Sequence, residues 1–144
     1  MMWVIDASVA LRWFLKDEAH PSADAVLEKV VEDPCLFAVP ELFAFEVYAV
    51  LLRLHPDGLR VFRKGIIPLL QGGILRHPMT EELAVNANRF SKKGLTGYDA
   101  CYAALASDLK SCWLTFDKKA HQRIKVEEIS CLLSEGLPHN FLEK

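Results

Sequence analysis

Four acidic residues stand where local structure gives an acid little reason to be, and they suggest one kind of chemistry. Asp6 and Asp117 each end an apolar, strand-like run, in "WVID" and "LTFD". Glu46 lies in the helical run "PELFAFEVYAVLLRL". At about 100° per residue, Leu42, Ala49 and Val50 fall within about 60° of it, so the glutamate shares an apolar face. Asp99 opens the alanine-rich run "LTGYDACYAALA", with Ala103 and Ala106 on its side of the helix. Ionised carboxylates are rarely buried unpaired, because their desolvation costs several kcal/mol or more. Each acid also has an ordinary alternative. Asp6 and Asp117 suit turns or helix starts, Glu46 can reach Arg53 two turns later, and Asp99 with Thr96 resembles a capping box.

In open parallel sheets, ligands bind beyond the carboxyl ends of the strands. If the strands ending at Asp6 and Asp117 are neighbours, both carboxylates emerge at one sheet edge. Four carboxylates gathered there would repel one another and raise each other's pKa values unless a cation neutralised them. An all-oxygen site suits a hard divalent ion, Mg²⁺ or Mn²⁺, shared with substrate phosphate oxygens. Such ions support phosphodiester hydrolysis, singly or in pairs. Ser8 and Thr115, each two residues from a strand-end aspartate, carry hydroxyls that could orient a carboxylate, although Ser8 serves equally well as a helix cap.

The elements that must position these residues alternate between strand and helix. Strand signals are "MWVI", "CLFAV", "ILRH", "CWLTF" and a last one near "EISCLL". The continuous apolar run of "CLFAV" marks a strand buried on both faces. Helices are expected from Val9 with Ser8 as cap, over "HPSADAVLEKVVED", over "PELFAFEVYAVLLRL" with Pro40 in its first turn, over "MTEELAVNANRFSKK" up to Gly94, and over the Asp99 segment. "PDGLRVFRKGIIPLLQGG" reads as one or two short helices broken by Gly65 and Pro68, and "KKAHQRI" as a basic turn or helix. Glu41 and Asp108 point away from the apolar faces of their helices and are expected in solvent. Strand–helix alternation implies right-handed crossovers and a mainly parallel sheet covered on both faces, an α/β sandwich.

Composition agrees with one globular domain spanning residues 1–144. The chain is 51% hydrophobic and 25% charged, with a formal net charge of -2, which neither requires nor forbids a nucleic-acid partner. No run approaches the roughly 18 apolar residues of a membrane span. The apolar N-terminus lacks a basic lead and carries Asp6 and Arg12, so a cytoplasmic protein is expected rather than an exported one. Cys35, Cys101, Cys112 and Cys131 sit singly in apolar segments and are read as buried free thiols. The five histidines are scattered and receive no role.

The segments "VIDASVALRWF", "PELFAFEVYAVLLR", "LTGYDACYAALA" and "LTFDKKAH", in that order and spacing, resemble the PIN-domain family, and within it the VapC-type toxin ribonucleases. The resemblance covers essentially the whole chain. It implies a three-layer α/β/α sandwich with a central sheet of about five strands, and Mg²⁺- or Mn²⁺-dependent cleavage of RNA. It also implies homodimerisation and inhibition by a small cognate antitoxin. By the same resemblance Asp6, Glu46, Asp99 and Asp117 match the acidic metal-binding and catalytic set, with Ser8 and Thr115 at supporting positions. Candidate RNA contacts are Arg12, Lys92, Lys93, Lys118 and Lys119, of which Arg12 lies one helical turn after Ser8. The chain departs from the pattern at Ala49, where the family often carries an asparagine.

Two other readings compete. In a Mg²⁺-dependent phosphoryl-transfer domain an aspartate also ends a strand. However, haloacid-dehalogenase-like phosphatases want a second aspartate where this chain has Ser8, and receiver domains want paired acids and a late lysine. In a non-catalytic RNA- or protein-binding module of the same fold, the acids would be only caps and ion-pair partners.

Overall fold

The structure is a computed structural model that describes residues 1–143. Five short parallel strands form one sheet: β1 (Trp3–Ile5), β2 (Phe37–Pro40), β3 (Leu75–His77), β4 (Cys112–Thr115) and β5 (Ser130–Leu132), in spatial order β3-β2-β1-β4-β5. All four pairings are parallel, with Val4 opposite Ala38 on one side and Trp113 on the other. Every residue of β1 and β2 is buried, as expected of unbroken apolar strands covered on both faces. The chain leaves β1 for β2 on one side and returns to β4 on the other, so the sheet reverses direction between β1 and β4. Such a reversal opens a crevice at the carboxyl ends of the two strands.

Eight helices supply the outer layers: α1 (Ala7–Phe14), α2 (Pro21–Glu32), α3 (Leu42–Leu54), α4 (Gly58–Val61), α5 (Ile67–Gln71), α6 (Glu81–Ser91), α7 (Gly97–Asp108) and α8 (Lys118–Ile124). Right-handed crossovers put α1–α5 on one face and α6–α8 on the other. The contacts follow this division, with α1 on α2 and α3, α6 on α7, and α8 against β5. The result is the α/β/α sandwich with a five-stranded parallel sheet. Helix α7 carries no bulky side chain at Ala100, Ala103, Ala104 or Ala106, all fully buried, and so approaches β1, β2 and β4 closely. No helix among the described residues is long and apolar enough to cross a membrane.

Several local expectations are corrected. Helix α1 starts at Ala7, and Asp6 rather than Ser8 is its cap: the Asp6 carboxylate accepts the Ser8 N–H at 3.0 Å. The Asp6 carboxylate, on the residue just before the helix, accepts the orphan Ser8 N–H, while Ser8 is already the second helical residue. Pro40 belongs to β2, and α3 starts only at Leu42 after Glu41. The "PDGLRVFRKGIIPLLQGG" segment holds two short α-helices joined by a π-helical turn, Phe62–Ile66, that contains Gly65. Of the four free cysteines only Cys101 is fully buried, and Cys35 is exposed, because Cys35 falls in a 3₁₀ turn (Pro34–Leu36) ahead of β2. Glu41 and Asp108 are exposed as expected, although Asp108 accepts a bond from Asn86 at 2.6 Å.

Candidate active site

Asp6 follows β1 and Asp117 follows β4, and because these strands are neighbours the two aspartates lie at the same carboxyl edge. The Asp6 N–H continues the ladder by donating to the Leu114 carbonyl at 3.0 Å. From one face of the sheet α3 brings Glu46, and from the other α7 brings Asp99. The four carboxylates therefore line the sheet's point of reversal from four separate elements, near enough for charge on one to raise the pKa of another at Asp6, Glu46 and Asp99.

Each acid is held differently. Asp6 is buried, 7% exposed, and its two oxygens accept from the Ser8 N–H and, at 3.1 Å, from the Trp113 indole N–H. Glu46 Oε1 accepts the Tyr102 hydroxyl at 2.8 Å. The Tyr102 and Trp113 rings stack at 5.8 Å and 10°, so one rigid aromatic pair serves both acids. Asp117 caps α8, with Oδ1 accepting the Ala120 N–H at 2.9 Å, and its own N–H donates to the buried Thr115 hydroxyl at 3.0 Å. The Ser8 hydroxyl accepts the Phe116 N–H at 3.2 Å, tying the start of α1 to the strand end that carries Asp117. The Thr115 hydroxyl thus holds backbone, while the Ser8 side chain holds the Phe116 N–H and also bonds the Asp6 carboxylate. At Asp99 the Thr96 side chain serves twice: its Oγ1 accepts the Asp99 N–H at 3.1 Å, and its hydroxyl bonds the Asp99 carboxylate, which opposes the rise in that acid's pKa.

The expected partner of Glu46, Arg53, is not used. The three ion pairs among the described residues are Arg60–Asp57, Arg89–Glu127 and Lys93–Glu127, and none includes the four acids. For Asp6, Glu46 and Asp99, burial without a counter-charge raises the pKa. Burial pushes Glu46 from 4.5 up to about 7; the Tyr102 bond opposes this, and the charges of Asp6 and Asp99 add to it. Burial likewise pushes Asp99 from 3.8 up to about 6, reinforced by Asp6 and Asp117. Asp6 is raised chiefly by burial, against the bonds from Ser8 and Trp113. Among the described residues, no three histidine, cysteine or carboxylate side chains stand close enough to hold one ion. The acids are gathered around the crevice rather than closed on a point.

A cleft of about 160 Å³ runs between Asp99 and Asp117, with Thr96 on one wall and Lys119 and Arg123 on the other. Of the predicted basic contacts, Lys119 lies in this cleft and Lys118 is exposed next to it. Arg12 is instead tied to its own end of α1: its Nη1 donates to the Glu18 carbonyl at 2.9 Å and its guanidinium covers the Phe116 ring at 4.0 Å. Lys93 pairs with Glu127 at 2.9 Å, and Lys92 is exposed. Tyr102, Trp113 and Arg123 escaped the sequence reading. A buried tyrosine or tryptophan must place its polar atom somewhere, so Tyr102 amid alanines and Trp113 beside Thr115 were available signals; Arg123 offered none.

Known proteins place the fold in context. A model of the PIN domain matches residues 3–126. No curated protein is significantly similar to the chain. Among solved structures, FitAcB from Neisseria gonorrhoeae is similar with a TM-score of 0.63 at 18% identity, covering 86% of this chain and 94% of that one. VapBC2 from Rickettsia felis, bound to a DNA fragment from its promoter, aligns with a TM-score of 0.62 at 12% identity over 85% and 92% of the two chains. A toxin–antitoxin complex from Klebsiella pneumoniae aligns with a TM-score of 0.60 at 16% identity over 82% and 88%. At such identities the structural likeness speaks for the fold, and the family match over most of the length carries the classification: the chain belongs to the PIN-domain family.

Proposed function

We propose that this protein is a metal-dependent endoribonuclease of the VapC type, the toxin half of a toxin–antitoxin pair, with Asp6, Glu46, Asp99 and Asp117 as its catalytic, metal-holding acids. One observation carries the reading: four carboxylates from four elements share the crevice at the sheet's reversal with no basic side chain paired to any of them. A crowded, uncompensated acidic cluster is unfavourable by itself and is relieved by a hard cation.

The donor set fits Mg²⁺ or Mn²⁺ in kind, since every candidate ligand atom is a carboxylate oxygen. The bonds that hold Glu46 and Asp117 engage Oε1 and Oδ1, which leaves Oε2 and Oδ2 to face a cation. An ion held there supplies Lewis acidity that stabilises the charge developing on phosphodiester oxygens. Around it the chain's own groups do the positioning. The Tyr102–Trp113 pair fixes one oxygen each of Glu46 and Asp6, and the Ser8 N–H fixes the other oxygen of Asp6. Thr115 and α8 set the approach of Asp117. Tyr102 also supports Glu46 in a chain that has Ala49 where related proteins often carry asparagine. Lys118 and Lys119, next to Asp117, meet the RNA backbone, whereas Arg12 serves Phe116.

Toxin–antitoxin complexes among the similar structures support a small cognate antitoxin as partner. An apolar face is available for it or for a second copy in a homodimer: Phe45 and Leu52, one heptad apart on α3, are 73% and 46% exposed, and such a face commonly marks an interface. The test is cleavage. Antitoxin-free protein should cut RNA in Mg²⁺ or Mn²⁺ and stop in EDTA, and Asp6→Asn should be inert. Undiminished cleavage in EDTA rejects the metal mechanism. RNA binding without cleavage by the wild type under any metal makes the protein a binding module, the reading favoured by the separation of the acids.

A further inference from the structure

Arg123 is held at the cleft in a way that ordinary surface arginines are not. Its Nη1 donates to the Gly94 carbonyl at 2.7 Å, and its guanidinium lies where a side chain on residue 94 would be. A Cβ added at Gly94 would fall 2.2 Å from Nη1, and Gly94 adopts φ +100°, a conformation that itself favours glycine. The glycine in the turn after α6 therefore forms a seat for the arginine of α8. Gly94 also begins the turn leading to Thr96 and Asp99, so the contact ties the element bearing Asp99 to the one capped by Asp117.

The seated cation lines the same cleft as both aspartates, yet no acid lies within ion-pair distance of it among the described residues. Its remaining N–H donors, which can form a fork for a phosphate, have no protein partner among the described residues. Lys119 stands one turn earlier on the same side of α8 and lines the same wall. Like charges at that spacing repel when nothing anionic separates them. Six residues separate Arg123 from Asp117, about 9 Å of backbone rise along α8, and the Gly94 carbonyl anchors the guanidinium on the wall of the cleft.

The geometry points to Arg123, seated on Gly94 and assisted by Lys119, as the binding site for an RNA phosphate flanking the one that is cut. This rests on the ribonuclease reading above. Arg123 is here a positioning residue, which holds the strand so that the scissile phosphate meets the four acids. Each phosphate neutralised on a single strand contributes about 0.7 to the slope of log affinity against log salt, a quantity that a purely structural contact does not change.

The experiment measures anisotropy of a labelled single-stranded RNA in Mg²⁺, in an Asp6→Asn background that prevents turnover, from about 50 to 200 mM salt. Arg123→Gln keeps a donor for Gly94 but loses the charge. Its slope should be shallower by about 0.7, so that over the fourfold salt range the parent loses about 2.6-fold more affinity than the variant. Arg123→Lys should keep the parent slope, and Gly94→Ala should reproduce the loss by pushing the guanidinium off its seat. If Arg123→Gln melts lower but keeps the parent slope, Arg123 merely braces the end of α6 and the proposal is overturned. If the parent itself does not bind RNA, the ribonuclease reading falls, and this one with it.

Discussion

Replacing Asp99 with asparagine separates a crowded acid from a helix-start charge by the sign of a stability change. The Thr96 cap survives the substitution, because Thr96 Oγ1 accepts the residue 99 backbone N–H, and the asparagine amide oxygen can still accept the Thr96 hydroxyl. Two effects then oppose each other. Loss of the charge–dipole attraction at the start of α7 costs about 0.3–1 kcal/mol. Relief of the buried, repelled carboxylate acts the other way. Asp99 titrates at about 6 in the fold against an ordinary 3.8, a difference equivalent to roughly 3 kcal/mol for a fully shielded group. Asp99 is only half-buried, and solvent screening reduces this to about 1–1.5 kcal/mol. Because the folded-state pKa is raised, the native protein keeps its proton more tightly. The associated stability is complete below pH 3.8 and is lost as pH rises through about 6. Asparagine never incurs that loss. At pH 8 in EDTA the variant should therefore be at least as stable, by up to about 1 kcal/mol, or up to roughly 4 °C in melting temperature for a chain of this size. Near pH 4 the advantage should vanish or reverse. Mg²⁺ at a hundredfold excess over its dissociation constant should stabilise the wild type by about 2.7 kcal/mol and the variant far less. Calorimetric melts at both pH values, with EDTA and with Mg²⁺, measure all of this. A variant that melts lower than wild type at pH 8 in EDTA, yet gains as much from Mg²⁺, would refute the crowded-acid reasoning and leave Asp99 a helix-start charge.

Two further outcomes follow from the same cluster. Tyr102→Phe keeps the ring stacked on Trp113 and removes only the hydroxyl that donates to Glu46. Since that bond lowers the Glu46 pKa, the metal-free titration of Glu46, followed by NMR, should move above about 7, and RNA cleavage should fall about 10–100-fold; an unmoved titration would show that the bond does not orient Glu46. Metal binding should release protons at pH 6, where Glu46 and Asp99 are largely or half protonated, and few at pH 8.5, where both are ionised. Titration calorimetry in buffers of different ionisation enthalpy counts these protons, and equal release at the two pH values would place the ion elsewhere.

The sequence alone carries the layered plan and the acids, because both are written in local patterns. Unbroken apolar runs such as "FAV" in β2 and "WVI" in β1 can only be buried strands, and helices between successive strands force them parallel. The alanines of α7 announce a helix that must lie close to the sheet, and the aspartates after β1 and β4 stand at strand ends in any arrangement. What the sequence leaves open is which distant groups meet. That β1 and β4 are neighbours, bringing Asp6 beside Asp117, depends on the strand order. The Trp113–Asp6 and Tyr102–Glu46 bonds join residues 107 and 56 positions apart, and Arg123 reaches Gly94 across 29. No periodicity encodes such pairs; they arise when burial strips water from a polar atom and the packed fold offers one remaining partner. Even the local choice of Asp6 over Ser8 as the cap of α1 goes with a long-range contact, since the Ser8 hydroxyl accepts the Phe116 N–H across the strand ends. Short-range pattern sets the elements, but the desolvation that selects partners at the crevice exists only after the chain has folded.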